Sequence, residues 1–373
     1  MASITSIGFP RMELEAGEKR VFLPDFIQKM ANFGLKVVIE EGYGSRSGFD
    51  AAEYRQGNKK VSFGSRQDAF DQALVLILRA PDHDFHRLAP RTILMSMLHY
   101  PTRPSRVEFF KKASLKTISL DSIVNDNNLR LVENMKAVAW NGLEVAFGLL
   151  EDRWSDLIRP DGKPIRVLVL GSGMVGRYDV DAAVHLGNIE RNNSHIEKAG
   201  PGVVCQSVGR NLTQQSETMI ALMKDTDILV DAAQRRNPTK PLIPNGWIKH
   251  LPAHAILLDL SVDPYLPEAD PPVVRGIEGI PMGNLDKYIF DPNDPEWCNT
   301  ISPGVPTENR RTAVSCYSWP GFHPEACMIH YARQLNPMMP ILIEKGYDGL
   351  SLNGDYFERA LFRGTLRAWE DQN

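Results

Sequence analysis

Three glycines stand where a chain could hold the phosphates of a nucleotide. The run Gly171-Ser172-Gly173-Met174-Val175-Gly176 has the GxGxxG spacing. It follows the apolar stretch Val167-Leu168-Val169-Leu170 at once, and Ala182, Ala183, Val184 and Leu186 continue beyond it at helical spacing. A strand, a glycine turn and a helix in that order are what a dinucleotide site requires. The first glycine permits the tight turn, the second lets the backbone approach a pyrophosphate, and the third lets helix and strand pack closely. The free N–H groups and the positive dipole end of the helix then face the phosphates. A bare GxGxxG also occurs in ordinary tight turns; here the flanking strand and helix favour the nucleotide.

NAD-binding folds carry an acidic residue at the end of the second strand, about 20 residues after the glycines, to hold the ribose hydroxyls. Here the second strand, within GVVCQSVGR, ends at Ser207 with Arg210 close behind and no carboxylate. A hydroxyl and an arginine suit a 2′-phosphate, so NAD(P)H is expected, with NADP(H) the preferred form. Glu190 is the ribose acid if the strand lies earlier.

Other side chains of the right type lie at apparent strand ends. His99 closes an apolar run, and imidazole takes and returns a proton near neutral pH; a lone histidine there equally reads as a packed or edge residue. Asp263 falls at the carboxyl end of a strand in the second half of the chain, the edge where such sheets bind ligands. Preceding Pro264, it also suits a turn. Asp259, inside the same strand, reads as structural. Arg20 has the planar guanidinium that grips a carboxylate through two parallel hydrogen bonds, although in EAGEKR its position alone suits a surface arginine.

The elements that must position these groups alternate between strand and helix. Strands are expected at Ser3–Phe9, Lys36–Glu40, Ala73–Arg79, Thr92–Leu98 and Lys116–Leu120, with helices at Pro24–Phe33 and Ser105–Ala113. Asn128–Trp154 has apolar residues at 3.6-residue spacing and reads as a long helical spacer. After the glycines come strands at Val203–Ser207, Asp227–Ala232, Ala255–Val262 and Val273–Glu278, then helices at Ala326–Leu335, Met338–Glu344 and Tyr356–Trp369. The fold expected is α/β, with two Rossmann-like domains and mainly parallel sheets. The nucleotide-binding domain (136–319) is inserted between an N-terminal domain and a C-terminal helical return (1–135 plus 320–373), with the substrate cleft between them.

The bulk composition excludes other classes. The 373 residues are 43% hydrophobic and 24% charged, with a formal net charge of −4, which gives no electrostatic case for nucleic acid or an anionic membrane. No apolar run approaches the ~20 residues of a membrane span. Four scattered cysteines (Cys205, Cys298, Cys316, Cys327) form neither a disulfide frame nor a metal site. With no secretory signal in the first residues, a cytoplasmic protein is expected.

Five strings in order, IGFPRMELEAGEKRVFLP (7–24), VLILRAP (75–81), TILMSMLHY (92–100), LLDLSVD (257–263) and WPGFHPEAC (319–327), resemble the alanine dehydrogenase / pyridine nucleotide transhydrogenase family, including its saccharopine dehydrogenase-like relatives. The resemblance implies an NAD(P)-dependent oxidoreductase acting on the CH–NH2 or CH–NH group of an amino acid, and a homo-oligomer whose partners are an amino acid or a 2-oxo acid. It places the family's carboxylate-binding arginine on Arg20, its acid/base histidine on His99, and its nicotinamide-ribose or proton-relay acid on Asp263. At Arg79 the chain departs from the family, which has lysine. Arginine stays protonated under ordinary conditions, so Arg79 is suited to holding a carboxylate or polarising a carbonyl, not to carrying a proton. That change points to another substrate, to saccharopine-type condensation of an amino acid with a 2-oxo acid (Arg20 and Arg79 anchoring two carboxylates), or to a catalytically silent nucleotide-binding homologue. The aromatic turn with Tyr317, Trp319 and Phe322, followed by His323 and Glu325, is expected to enlarge the substrate pocket.

Overall fold

The computed structural model describes residues 4–12, 15–235, 237–266 and 268–371. They divide into two compact units, Met1–Asn134 with His323–Asn373, and Met135–Phe322.

The first unit is built on six parallel strands: β1 (Ser6–Phe9), β2 (Lys36–Glu40), β3 (Val61–Gly64), β4 (Leu74–Arg79), β5 (Ile93–Met97) and β6 (Lys116–Ser119). Their order is β3-β2-β1-β4-β5-β6, in parallel register throughout. Leu74 to Leu78 are all buried, as a strand covered on both faces requires, and this is why β4 reads as unbroken apolar sequence. The chain runs outward from β1 through β2 to β3, then outward on the other side from β4 to β6. The carboxyl ends of β1 and β4 are therefore the switch point at which such sheets open a ligand crevice. β3 escapes sequence reading because Val61-Ser62-Phe63-Gly64 is a short edge strand with a single fully buried side chain. Ser3 lies outside the described residues.

In the second unit the strands are β7 (Ile165–Leu170), β8 (Val203–Val208), β9 (Ile228–Asp231), β10 (Ile256–Asp259), β11 (Ile289–Phe290) and β12 (Thr312–Ser315). The order is β11-β12-β10-β9-β7-β8, parallel except for β11. Here the switch point lies between β7 and β9. Both sheets together make the α/β, two-Rossmann-like architecture expected.

Three expected elements differ. Val273–Glu278 forms no strand, only the single bridges Leu266–Val273 and Ile243–Ile277. Gly276 lies so close to the Asp231 carboxyl that a Cβ would sit 1.8 Å from it, and Arg275 turns into the core; β12 completes the sheet instead. The long helix spans Met135–Glu151 and is no spacer. Leu143, Ala146, Phe147 and Leu150 are buried in the second unit's core beside Ile165, Val167 and Ile256. It starts seven residues late because Asn125 Oδ1 accepts the N–H groups of Asn127 and Leu129, folding a turn there. The last helix divides at Gly364 into Tyr356–Arg363 and Leu366–Glu370, the second capped by the Thr365 side chain.

Among the described residues no helix is long and apolar enough to cross a membrane.

Candidate functional site

In the first unit, the loop after β1 delivers Glu15, Glu18 and Arg20 to the crevice edge, and β4 ends on Arg79. Arg20 is no surface arginine; it is buried. Its Nε donates to Glu18 Oε1 at 2.9 Å and its Nη2 to Glu18 Oε2 at 2.5 Å, a two-pronged ion pair. Arg79 Nη1 reaches both oxygens of Glu15 at 3.1 Å and Glu18 Oε2 at 3.1 Å. The expected anchors Arg20 and Arg79 are thus brought together, through Glu18. Burial would raise the Glu18 carboxyl, but the bonds and charges of Arg20 and Arg79 hold it below the ordinary value. Burial likewise works against the Arg20 cation, and Glu18 outweighs it, holding the guanidinium firmly charged. Neither glutamate stood out in the sequence, because EAGE reads as a solvated charge run.

His99 follows β5, the next strand, with left-handed backbone (φ 53°). Its Nδ1 lies 3.2 Å from Asp121 Oδ2, and its side chain is 47% exposed against 6% for the aspartate. Asp121 Oδ1 also accepts the His99 N–H at 3.2 Å and the Ser119 hydroxyl at 2.7 Å. Burial pushes this carboxyl up, yet His99 and Ser119 hold it well below the usual carboxylate range. An ionised Asp121 fixes the tautomer with the proton on Nδ1 and leaves Nε2 as the open nitrogen. Sequence reading missed Asp121. It sits in a short 3-10 turn after β6, 22 residues from His99, and only the pairing of β5 with β6 joins them.

In the second unit the glycine loop links β7 to the helix Met174–Val184. Gly171 has φ +111°, and a Cβ there would meet the Ala232 carbonyl at 2.9 Å. A Cβ on Gly176 would lie 2.2 Å from the Gly171 carbonyl oxygen, while around Gly173 nothing lies within 4 Å. Gly173 caps the helix without a side-chain bond, and Ser172, Gly173 and Met174 are exposed and Val175 half-buried. The arrangement is a cradle: an open backbone at an uncapped helix start, held by a glycine that packs beneath it. It fits a pyrophosphate. The Ser207 hydroxyl donates to the Gly171 carbonyl at 2.9 Å, so it braces the loop. Arg210 is exposed just past the end of β8, following Gly209. Glu190 lies in the first turn of the helix Ile189–Glu197, away from any strand end.

Asp263 accepts Arg235 Nη2 at 2.7 Å and Nε at 3.2 Å on one oxygen. Asp259 is buried against Arg275 and Ser315. Trp319 is core, not pocket wall: it is buried with its indole N–H donating to the Asp259 carbonyl at 3.0 Å. Phe322 stacks on it at 5.2 Å, and only Tyr317 of the three is exposed. Among the described residues no cluster of His, Cys, Asp and Glu is placed to hold a metal ion.

Comparison with known proteins agrees with this picture. Residues 10–139 match the family described as alanine dehydrogenase/PNT, N-terminal domain. Alanine dehydrogenase 1 of Staphylococcus aureus strain NCTC 8325 is 26% identical over 273 residues, 67% of this chain and 71% of that protein. Alanine dehydrogenase 1 of strain Mu50 is 26% identical over 129 residues, about a third of either chain (34% and 34%). Among solved structures, an L-alanine dehydrogenase superposes with a TM-score of 0.69 over 97% of this chain and 94% of its own, at 20% identity. A transhydrogenase from Sinorhizobium meliloti gives 0.58 over 91% and 95%, at 15% identity.

Proposed function

We propose that this chain is an NAD(P)-dependent oxidoreductase acting on the C–N bond of an amino acid; the match of residues 10–139 to the alanine dehydrogenase/PNT N-terminal domain and the fold shared with an L-alanine dehydrogenase support the reading. The second unit, Met135–Phe322, takes the dinucleotide and the first unit the amino or 2-oxo acid. The observation that carries the reading is the glycine cradle, open at Gly173 and built on a switch point. The dinucleotide, when bound, supplies the hydride acceptor or donor. Gly171 to Gly176 and the helix start hold its pyrophosphate, and Arg210 favours a 2′-phosphate.

His99 is the proton carrier in this scheme. In deamination its Nε2 takes a proton from the substrate ammonium and passes it to solvent. Once the α-hydrogen has left as hydride, Nε2 takes a proton from the water that adds to the iminium carbon and returns it to the nitrogen, and the C–N bond breaks with loss of the hydroxyl proton to release ammonium and the 2-oxo acid. Asp121, behind Nδ1, stabilises the imidazolium that forms. Arg79 carries no proton and supplies fixed positive charge beside the reacting acid, with Arg20 behind it. Asp263, tied to Arg235, lies beyond the carboxyl end of β10, at the edge of the unit that takes the dinucleotide.

Titration of the purified chain with NADH and NADPH, followed by an absorbance screen of amino-acid and oxo-acid pairs, tests the proposal. The expected result is binding, turnover on at least one pair, and loss of turnover but not of binding in His99→Ala. The specific observation favouring a silent nucleotide-binding protein is that Arg79 is already engaged by Glu15 and Glu18; binding with no turnover on any pair would select that reading. The same pairing disfavours condensation of two acids, which needs two arginines available to carboxylates.

A further inference from the structure

One half-buried hydroxyl in the second unit has more to do than its single proton allows. Ser261 Oγ lies 3.1 Å from Asp231 Oδ2 and 3.1 Å from Asp259 Oδ1. A serine hydroxyl donates one hydrogen bond. Were both carboxylates ionised, one contact would set two acceptors against each other with no hydrogen between them. A proton therefore belongs to the pair, and the neighbours decide where it sits. Asp259 accepts Arg275 and the Ser315 hydroxyl on Oδ2 and the Val262 N–H at 2.9 Å on Oδ1, all of which favour the anion. Among the described residues, Asp231 accepts only the Ala233 N–H at 3.1 Å, on Oδ1, besides the serine. The chain that satisfies both carboxyls and the hydroxyl runs from an Asp231 carboxylic acid donating to Ser261, through Ser261 donating to Asp259, to Arg275.

The setting supports this count. Asp231 and Asp259 are 1% exposed and Arg275 is wholly buried, so one proton leaves the trio neutral, whereas none leaves a buried charge unpaired. The groups that face Asp231 from neighbouring elements are Asp259 on β10, Asp263 beyond it, Arg235 in the loop after β9, and Asp179 on the helix Met174–Val184. Asp179 is itself buried, with no hydrogen-bond partner among the described residues. Burial and the charge of Asp259 push the Asp231 carboxyl up to about 7.

We propose that Asp231 is a positioning residue of the dinucleotide site: it holds a proton in the folded chain and, through Ser261, ties the end of β9 to the turn after β10, so that losing the proton weakens dinucleotide binding. Both joined segments reach the nucleotide edge. Ala232, next to Asp231, abuts Gly171, while Arg235 and Asp263 form the ion pair that links the two loops. Ionisation breaks one of the Ser261 contacts and adds a negative charge beneath a site for an anionic ligand, and both effects have the same sign.

The inference rests on the dinucleotide reading only through its binding readout, so the test has two arms. The first is unfolding stability of the full chain against pH, for wild type and Asp231→Asn, whose amide N–H2 donates to Ser261 as the acid does. Between about pH 4 and 7 an unfolded Asp231 is ionised while the folded one keeps its proton. The unfolding constant of the wild type therefore rises by up to about tenfold per pH unit relative to Asp231→Asn and levels off above about 7. The second arm is the affinity for NADH and NADPH against pH. Wild-type affinity should be level below pH 7 and fall above it, by up to about tenfold per unit, while Asp231→Asn stays level. Ser261→Ala should keep the titration in the stability profile and reduce its effect on the affinity to the part that the added charge alone contributes; an undiminished fall would take Ser261 out of the coupling.

Identical stability profiles for wild type and Asp231→Asn would remove the proton from Asp231. A level wild-type affinity, or an unchanged slope in Asp231→Asn, would refute the coupling. Failure of both nucleotides to bind at any pH would overturn the function proposed above and the coupling together, whereas the stability arm judges the proton alone, so the two failures are told apart.

Discussion

Replacing Asp121 by asparagine probes the proton-carrying role of His99 with the least disturbance. Oδ1 of Asp121 accepts both the Ser119 hydroxyl at 2.7 Å and the His99 N–H at 3.2 Å. An asparagine will keep its carbonyl oxygen at that place, and its amide N–H2 must then replace Oδ2, 3.2 Å from His99 Nδ1. A donor facing Nδ1 forces the imidazole proton onto Nε2, where it can no longer accept one. General acid–base transfer contributes about 10²–10⁴ in rate, and a wrongly protonated catalytic histidine behind an Asp→Asn change costs about 10⁴ in the serine proteases. The His99 side chain is 47% exposed, so water partly restores the competent tautomer, and a loss of about 10²–10³ in kcat/KM is expected, about 3–4 kcal/mol of barrier. Stability at neutral pH should fall, since the charge behind the His99 and Ser119 contacts is lost, but the fold should remain intact because the Oδ1 contacts persist as neutral hydrogen bonds. The assay is steady-state turnover with NAD(P)H absorbance, alongside dinucleotide affinity and thermal unfolding of the same preparation. Turnover within about threefold of wild type would refute the tautomer argument. So would a loss matched by an equal loss of dinucleotide affinity.

Further outcomes follow from the same geometry. Gly176→Ala places a methyl 2.2 Å from a backbone carbonyl oxygen that cannot step aside, so it should cost about 1–3 kcal/mol in chemical denaturation. Gly173→Ala meets no atom within 4 Å and should leave that curve unchanged while weakening dinucleotide binding at least tenfold, about 1.4 kcal/mol. Arg210→Ala should reduce affinity for NADPH by roughly tenfold with NADH little changed, the loss of one charge-assisted bond; equal effects on both would take Arg210 out of nucleotide choice. The carboxyls of Asp121 and Glu18 are held below their ordinary values. The stability they contribute is therefore complete above the unfolded values near 4 and lost as pH falls below them, and Asp121→Asn should flatten the acid limb of the denaturation profile.

The sequence already carried the sheets wherever apolar residues run together. β4 and β7 were legible because strands covered on both faces leave little polar interruption. The glycine loop was legible because Gly171 and Gly176 answer local backbone demands, a positive φ and a close approach, with an open Gly173 between them. Groups whose meaning lies in contacts between distant segments were not. Asp121 reaches His99 across two strand ends, Glu15 and Glu18 become interior only when the loop after β1 folds under Arg79, and Ser261 gains significance from the two acids beside it. The misread Val273–Glu278 shows the same limit in reverse. Its alternating Val273, Arg275 and Ile277 mimic a strand, but Gly276 is required by Asp231, 45 positions earlier.

The brace from Ser207 to Gly171 separates two tasks that commonly share one residue. With that hydroxyl turned toward the loop, the proposed site would rest the stiffness of its glycine loop and the choice between nucleotides on different side chains. Arg210, exposed past the end of β8, would then be a dial that selection or an engineer can turn without loosening the loop.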